Sequence, residues 1–358
     1  MITQNKGEWS ELYVFLKLLG EGVLYAADAD LNKIENLYYP LVEVLRKENE
    51  QIKHYIKDAI NINIVDDNGH IILILPAIEF ETKAKLLLRT IKDSGSTFSV
   101  PVIEDFMQII KCSKVKADSM DKSDIKLVLH DCKTYKNETF GFSIKSKLGS
   151  PSTLLNPGKP TNFIYEICGN LSSEKVTEIN QIDSRAKLRD RLKAIKDSGG
   201  KLVYVGLENE VFKANLQMVD SAFPLIISEY LVQYYLGNGS LVSDLTHKVR
   251  TVNPCNLNIN LPHLYYEHKM KNFLTDIALG MTPATAWTGE YQATGGYIIV
   301  REDGEVLCYH LYNHNEFQEY LFKNTRFDTP SATRYEFGKI YKENKKLFIK
   351  LNLQVRFV

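Results

Sequence analysis

Apolar residues recur along this chain with two periods, every third or fourth position and every second, and the two periods lay out its elements. Residues 7–20 follow the helical period, with Trp9, Leu12, Leu16 and Leu19 on one face and Gly20 and Gly22 as the stop. Residues 25–40 predict a polar turn and a short helical pattern halted before Pro40. Residues 41–48 fit a strand or a helical turn equally well. Residues 62–76 alternate on both sides of Asp67-Asn68-Gly69, which predicts a hairpin. Residues 78–93 return to the helical period, with Ile78, Ala84, Leu87, Leu88 and Ile91 inward. Pro101 to Ile110 predicts another helix.

The stretch from Asp121 to Asn156 is the centre around which the rest of the chain is organised. Ile125, Leu127 and Leu129 alternate along a first strand, Ile125 to Asp131. Phe140, Phe142 and Ile144 alternate along a second, Thr139 to Ser146, which leaves Ser143 and Lys145 on the opposite face. Lys133 to Glu138 is the polar turn between them. Folding the pair antiparallel sets Asp124 near Lys145. Gly149 to Thr161 is a loop of small and polar residues around Leu154-Leu155. It leads to a strand, Asn162 to Ile167, then a basic helix capped by Ser184 and running through Lys196, with Leu188, Leu192 and Ile195 inside and Gly199 beyond its end. The next strand runs from Lys201 to Leu207. This succession predicts an α/β fold with a mixed sheet flanked by helices. Residues 209–236 are helical in pattern, and Gly237 to Ser240 forms a linker. Beyond it come a helix from Pro262 to Gly280, a hairpin closed by Asp303-Gly304 and a helix from Asn315 to Lys323. A polar loop at 325–334 and strands near 337–341 and 347–357 complete the chain. The linker divides a first domain, 1–236, from a C-terminal α+β region of helices and hairpins, 237–358.

At 358 residues, 44% hydrophobic and 25% charged, the chain has the composition of a folded protein and length enough for two domains. No apolar run approaches the length that spans a bilayer, and the N-terminus lacks a secretory pattern, so no membrane association is expected. Five scattered cysteines without a CxxC pair point to a reducing cytoplasm and away from zinc or disulfides. The net charge is zero, whereas nucleic-acid binders are often basic. The charge is uneven, however: residues 111–160 hold ten lysines against five acids, and residues 185–201 hold seven Lys/Arg against two acids. Such stretches can neutralise phosphates along a groove; the bland reading is a solvated face.

The candidate chemistry lies on the central hairpin. Hydrolysis of a phosphodiester needs a cation held by carboxylates and a group that orients and deprotonates water. The matching pattern is an aspartate, a gap, then acid-x-Lys. Here Asp124 is followed after eighteen residues by Ser143-Ile144-Lys145, so a serine stands in the second acid's place. An exposed Asp–Lys pair of little consequence is the alternative account. Gly7-Glu8-Trp9-Ser10-Glu11 matches a Gly-x-x-x-Glu order in which the first helix contributes the missing carboxylate, Glu11 or, less directly, Glu8. Tyr309 to His314 has incomplete spacing for a histidine–metal finger, and a core histidine accounts for it better. Tyr265, Tyr266 and Tyr341 could stack or touch phosphate, although packing is the commoner role. No phosphate-binding G-x-x-x-x-G-K-[ST] loop is present.

Three long blocks carry a more specific signal: KGEWSELYVFLKLLGEGVLYAADADLNKIENLYYP, KSDIKLVLHD with GFSIKSKLGSPSTLLNPGKPTNFIYEI, and ATGGYIIVREDGEVLCYH. Through them the chain resembles the HpaII family of type II restriction endonucleases, nucleases of the PD-(D/E)xK fold. The resemblance implies Mg²⁺-dependent cleavage of both strands of duplex DNA at CCGG after the first C. It also implies sensitivity to cytosine methylation and a partner cytosine methyltransferase in a restriction-modification system. It makes Asp124 the principal metal ligand, with Glu11 and Ile144 as further metal contacts, Lys145 the water-orienting group, and Ser143 the occupant of the second acid's place. One metal and two fit equally.

Candidate DNA contacts lie beyond the catalytic strand at Lys147, Ser150, Ser152, Thr153, Asn156, Thr161 and Asn162. A second set, Thr325, Arg326, Asp328, Ser331 and Arg334, offers donors of the kind guanine edges require. Basic residues of 185–201 are expected on phosphate. A palindromic site predicts a homodimer on DNA. Two alternatives stay open, a structure-specific or repair nuclease and a non-cleaving DNA-binding protein whose nuclease site has decayed at Ser143.

Overall fold

The computed structural model describes residues 2–48, 51–116, 123–132 and 134–358. Asp121 and Lys122 of the central stretch, and Lys133 of its turn, lie outside the described residues. A two-residue strand, β1 (Gln4–Asn5), leads into α1 (Lys6–Glu21). The helix is started by a reciprocal cap in which the Glu8 amide donates to Asn5 at 3.0 Å and the Asn5 amide to Glu8 at 2.9 Å. Gly22, in the left-handed region at φ 74°, ends it. Gly20 does not: it sits inside the helix, where a Cβ would lie 2.8 Å from the Glu81 backbone, so its part is close helix packing.

Next come β2 (Val23–Ala27) and β3 (Lys33–Glu48). The segment before Pro40 is therefore a strand, and the expected short helix is corrected. Residues 33–38 are all exposed or half-buried, so no apolar alternation marks the strand there, and a bulge between Leu41 and Glu43 interrupts its continuation. It shifts the buried positions from Tyr39 and Leu41 to Val44, Arg46 and Glu48, which hides the two-residue period. Strands β4 (Gln51–Lys57), β5 (Asn61–Val65) and β6 (Ile71–Pro76) come next, the last two forming the expected hairpin, with Gly69 at φ 82° in its turn. In α2 (Ala77–Asp93) the inner face is Ala77, Phe80, Ala84, Leu87 and Ile91. Ile78, expected inward, is 60% exposed because the helical phase places its neighbour Ala77 inside. The short β7 (Thr97–Phe98), α3 (Pro101–Ile109), β8 (Ile125–Asp131) and β9 (Lys136–Ser146) continue the chain. The central hairpin forms as expected, with its second strand starting three residues early.

The remaining chain carries β10 (Thr153–Leu155), β11 (Asn162–Cys168), α4 (Ser173–Gln181), α5 (Lys187–Asp197) and β12 (Lys201–Leu207). Ser184 lies in a turn before α5 rather than capping it, with its hydroxyl 2.5 Å from Asp190. The helical span at 209–236 breaks into α6 (Glu210–Val219) and α7 (Phe223–Tyr235), with Pro224 in the first turn of the second. Then come α8 (Val242–Val252), α9 (Tyr265–Leu279), the hairpin β13 (Gly296–Val300) and β14 (Val306–His310), and α10 (His314–Lys323). The loop expected at 325–334 contains β15 (Thr325–Phe327) and α11 (Ala332–Tyr335). Strands β16 (Ile340–Glu343), β17 (Lys346–Asn352) and β18 (Val355–Phe357) end the chain.

These elements gather into two compact units. The first comprises residues 1–152 and 291–320. It holds a nine-stranded mixed sheet in the order β2-β14-β13-β9-β8-β3-β4-β5-β6, and β2 also pairs β3, so six strands form a closed circuit. The pairs β9–β13 and β14–β2 are parallel. Helix α1 buries Trp9, Leu12, Leu16 and Leu19 completely against this sheet, each such side chain contributing roughly 1.5–3 kcal/mol.

The second unit comprises residues 153–290 and 321–358. It holds the sheet β12-β11-β17-β16, a smaller sheet β10-β18-β15, and α4–α9 with α11. The strand–helix–strand segment after the central hairpin therefore builds a sheet of its own, with β11 and β12 antiparallel. The boundary expected at 236/237 falls inside this unit, where the Tyr230 hydroxyl of α7 donates to Thr246 of α8 at 2.7 Å. Among the described residues no helix is long and apolar enough to cross a membrane. All five cysteines are free.

Candidate active site

The site forms where β8 begins and β9 runs on past it. Ile125 pairs with Phe142, so Asp124 stands just beyond the first rung of the hairpin. Its backbone amide donates to the Phe142 carbonyl at 2.9 Å, and its carboxylate Oδ2 accepts the Ile144 amide at 2.9 Å. The hairpin thus uses its own unpaired backbone to hold the aspartate. N–H and C=O of one strand residue point to the same edge, so the Ile144 carbonyl faces the same gap. Lys147 donates its amide to Val300 on the other side of β9 at 2.8 Å, which confirms that odd-numbered residues face β13.

Lys145 and Ser143 share the other face of β9, opposite Ile299 and Tyr297. The Lys145 ammonium sits 5.6 Å from the centre of the Tyr297 ring. Burial pushes its pKa down, while Asp124 and Glu11 pull it back up. Ser143 is half-buried, two residues from Lys145.

Helix α1 brings Glu11 to this point, and its side chain is 15% exposed. One Lys116 ammonium lies 3.3 Å from Glu11 Oε1 and 3.4 Å from Asp124 Oδ1, so the two carboxylates converge on a single cation. Glu11 Oε2 is buried without a hydrogen-bond partner. Its pKa is pushed up to about 7, first by burial and then by the nearby Asp124 charge. A buried carboxylate with an orphaned oxygen beside a second carboxylate is short of positive charge. Glu8 is excluded from this role by its use in capping α1.

A cleft of about 790 Å³ opens beside the site, lined by Lys6, Glu11, Ser94, Ser96, Lys145, Ser146, Ser150 and Ser152. Ser150 and Ser152 are the expected contacts it includes. Lys147 is half-buried just past the end of β9, and Asn156 is exposed in the second unit, where Thr153 pairs with Arg356. Thr161 and Asn162 are corrected, since both are fully buried. The Asn162 amide donates to Glu208 at 2.7 Å and to the Tyr335 carbonyl at 2.9 Å, and its oxygen accepts Asn352 at 2.7 Å. Thr325 is buried as well, donating to the Leu321 carbonyl at 2.7 Å.

In the second unit, Asp328 accepts Arg356 at 3.2 Å, and Arg326 lies half-buried on β15. Ser331 caps α11, while Arg334 is exposed over the Tyr335 ring. A second cleft, of about 670 Å³, joins Ser331 to Arg185, Lys187 and Arg189, with Tyr234 and Thr329 between. The polar loop near 330 and the basic stretch near 187 thereby meet in one groove.

His310 is a core histidine, 1% exposed, packed by Tyr39 and Phe140, with its pKa lowered by burial to about 4. Tyr266 is buried on Asn253, and Tyr341 stacks on Phe348. Lys116, Tyr297, Tyr234 and Thr329 were not singled out by the sequence. Only the lysine excess of 111–160 pointed toward Lys116.

Among the described residues no group of three or more His, Cys, Asp and Glu side chains is set to hold a metal. The candidate set is two carboxylates and one backbone carbonyl, hard oxygen donors of the type Mg²⁺ prefers. A hairpin-held aspartate, a helix-borne glutamate and a partly desolvated lysine are the class of groups that can serve phosphodiester hydrolysis. Comparison with known proteins narrows that class. The HpaII restriction endonuclease family model matches residues 5–357. The chain is 43% identical to the type II restriction enzyme HpaII of Haemophilus parainfluenzae over 356 residues, 99% of this chain and 98% of that protein. No solved structure matches the chain. The chain belongs to the HpaII restriction endonuclease family, and it is a type II site-specific deoxyribonuclease.

Proposed function

We propose that this endonuclease cuts both strands of duplex DNA at CCGG after the first C, with Mg²⁺, on a core of the PD-(D/E)xK kind. The observation that carries the reading is the convergence of Glu11 and Asp124 beside Lys145 at the open end of the β8–β9 hairpin. Glu11, Asp124 and the Ile144 carbonyl would hold the ion. When bound there, a divalent cation supplies positive charge to the scissile phosphate and acidifies a water.

The chain's own residues supply the remainder. Lys145 hydrogen-bonds the attacking water and orients it. Its lowered pKa makes the neutral amine more accessible as a proton acceptor. The new bond joins the water oxygen to phosphorus, and the bond from phosphorus to the leaving strand end breaks. Ser143 contributes a neutral hydroxyl where a second acid would add charge, and Glu11 makes up that charge from the helix. Arg185, Lys187 and Arg189 in the second cleft are suited to phosphate, and exposed Arg334 to a guanine edge. A palindromic target is matched by a homodimer on DNA, and a cognate cytosine methyltransferase protects host sites.

The test is digestion of a sequenced plasmid with Mg²⁺ or with EDTA. Discrete fragments ending at CCGG, lost with EDTA and on methylation of the internal cytosine, are the expected result. Products that depend on junctions or flaps point instead to a structure-specific nuclease, and binding without cutting points to a decayed site.

A further inference from the structure

Lys116 stands between the two carboxylates assigned to the metal, within 3.3 Å of Glu11 and 3.4 Å of Asp124. An exposed lysine often touches an acid by chance. This one is delivered by a segment whose backbone is tied down along its length. The Tyr55 hydroxyl donates to the Ile110 carbonyl at 3.0 Å, and Lys53 to the Lys111 carbonyl at 2.5 Å. Glu48 accepts the Ser113 amide at 3.0 Å, and Arg46 donates to the carbonyls of Lys114 and Val115. Arg46 and Glu48 are themselves a buried ion pair at 2.5 Å, 5% and 2% exposed. A buried ion pair costs desolvation and is weak evidence for stability on its own. Here its remaining hydrogen-bonding capacity is spent on an irregular segment that ends at the site.

Charge balance gives the arrangement its meaning. Two carboxylates, Glu11 and Asp124, face two ammonium groups, Lys116 and Lys145. A divalent cation on the same carboxylates would raise the net charge of these groups from zero to about +2, and the withdrawal of one ammonium would reduce that excess by half. Lys145 is held within the fold under Tyr297, whereas the Lys116 side chain is 51% exposed and free to swing into solvent. We propose that Lys116 is a built-in counter-ion that holds Glu11 and Asp124 together in the metal-free enzyme and competes with the divalent cation for them. It is a positioning residue, and the inference rests on the proposed metal site.

The experiment is calorimetric titration of Mn²⁺ into DNA-free protein, comparing wild type with Lys116→Met, Lys116→Arg and Asp124→Asn. Two contacts of this exposure predict that Lys116→Met binds Mn²⁺ roughly 3- to 10-fold more tightly, while Lys116→Arg, which keeps the charge, stays near wild type. Equal or weaker binding by Lys116→Met overturns the counter-ion role. If that occurs while Asp124→Asn still abolishes binding, the metal site stands and only this inference fails. If Asp124→Asn binds as wild type does, or no protein binds Mn²⁺, the metal site itself is misassigned and the inference falls with it.

Discussion

Glu11→Gln separates what Glu11 costs the fold from what it contributes to the site. The pKa of Glu11 is raised from an ordinary 4.5 to about 7, chiefly by burial. At about 1.4 kcal/mol per unit, holding this carboxylate ionised in the fold costs on the order of 3 kcal/mol. Linkage fixes the sign. Above pH 7 the group is ionised in both folded and unfolded chains, and the whole cost is felt. Between 4.5 and 7 the folded protein binds the extra proton, so stability falls as pH rises through this window. Below 4.5 the cost is absent. Glutamine imitates the protonated acid and keeps an oxygen for Lys116. In EDTA, Glu11→Gln should therefore match wild type near pH 4.5 and exceed it by about 3 kcal/mol at pH 8. For a unit of this size that is roughly 6–12 °C in melting temperature. Thermal unfolding of both proteins from pH 4.5 to 8 measures the difference directly. The same variant should lose Mg²⁺-dependent cleavage. A constant difference across pH, or a variant less stable than wild type at pH 8, would refute the placement of Glu11 as a desolvated carboxylate.

Lys145→Ala should lower single-turnover cleavage by roughly 10²–10⁴-fold and leave the melting temperature near wild type; cleavage at the wild-type rate would remove Lys145 from the site. Asn162→Ala breaks three internal hydrogen bonds and should cost on the order of 2–4 kcal/mol. The salt dependence of DNA binding should not change, and a shallower slope would restore Asn162 as a contact. Gly296→Ala places a Cβ 2.0 Å from the Tyr309 carbonyl at a residue with φ 104°. It should destabilise the fold by at least ~4 kcal/mol, as read by chemical denaturation.

Much of the site's scaffold could be read in order along the chain. The β8–β9 hairpin alternates cleanly, so its two strands came from spacing, but its register did not: a turn at 133–138 was expected, whereas Asp131 pairs with Lys136 and Ile125 with Phe142. The helical period of α1 is equally clear. The Gly-x-x-x-Glu order favoured Glu11 over Glu8, and the structure separates them further, with Glu8 engaged in the cap at Asn5 and Glu11 beside Lys116. Strand β3 was obscured because residues 33–38 are exposed or half-buried and show no alternation, and because a bulge breaks the phase beyond Pro40. Thr161 and Asn162 are polar residues where a polar loop meets a strand, a place that in sequence looks like surface. Their burial depends on partners as distant as Glu208, Tyr335 and Asn352.

The sequence by itself determined the local elements and, through its long family-like blocks, the kind of enzyme. Side-chain period and capping chemistry are properties of neighbouring residues, so they are legible in one dimension. The tertiary structure decided which charges meet. Strand β13 pairs parallel with β9 from more than a hundred residues away, placing Tyr297 beside Lys145. The segment clamped by Arg46 and Glu48 brings Lys116 to Glu11 and Asp124. No spacing rule encodes those encounters, because each depends on where separate elements pack.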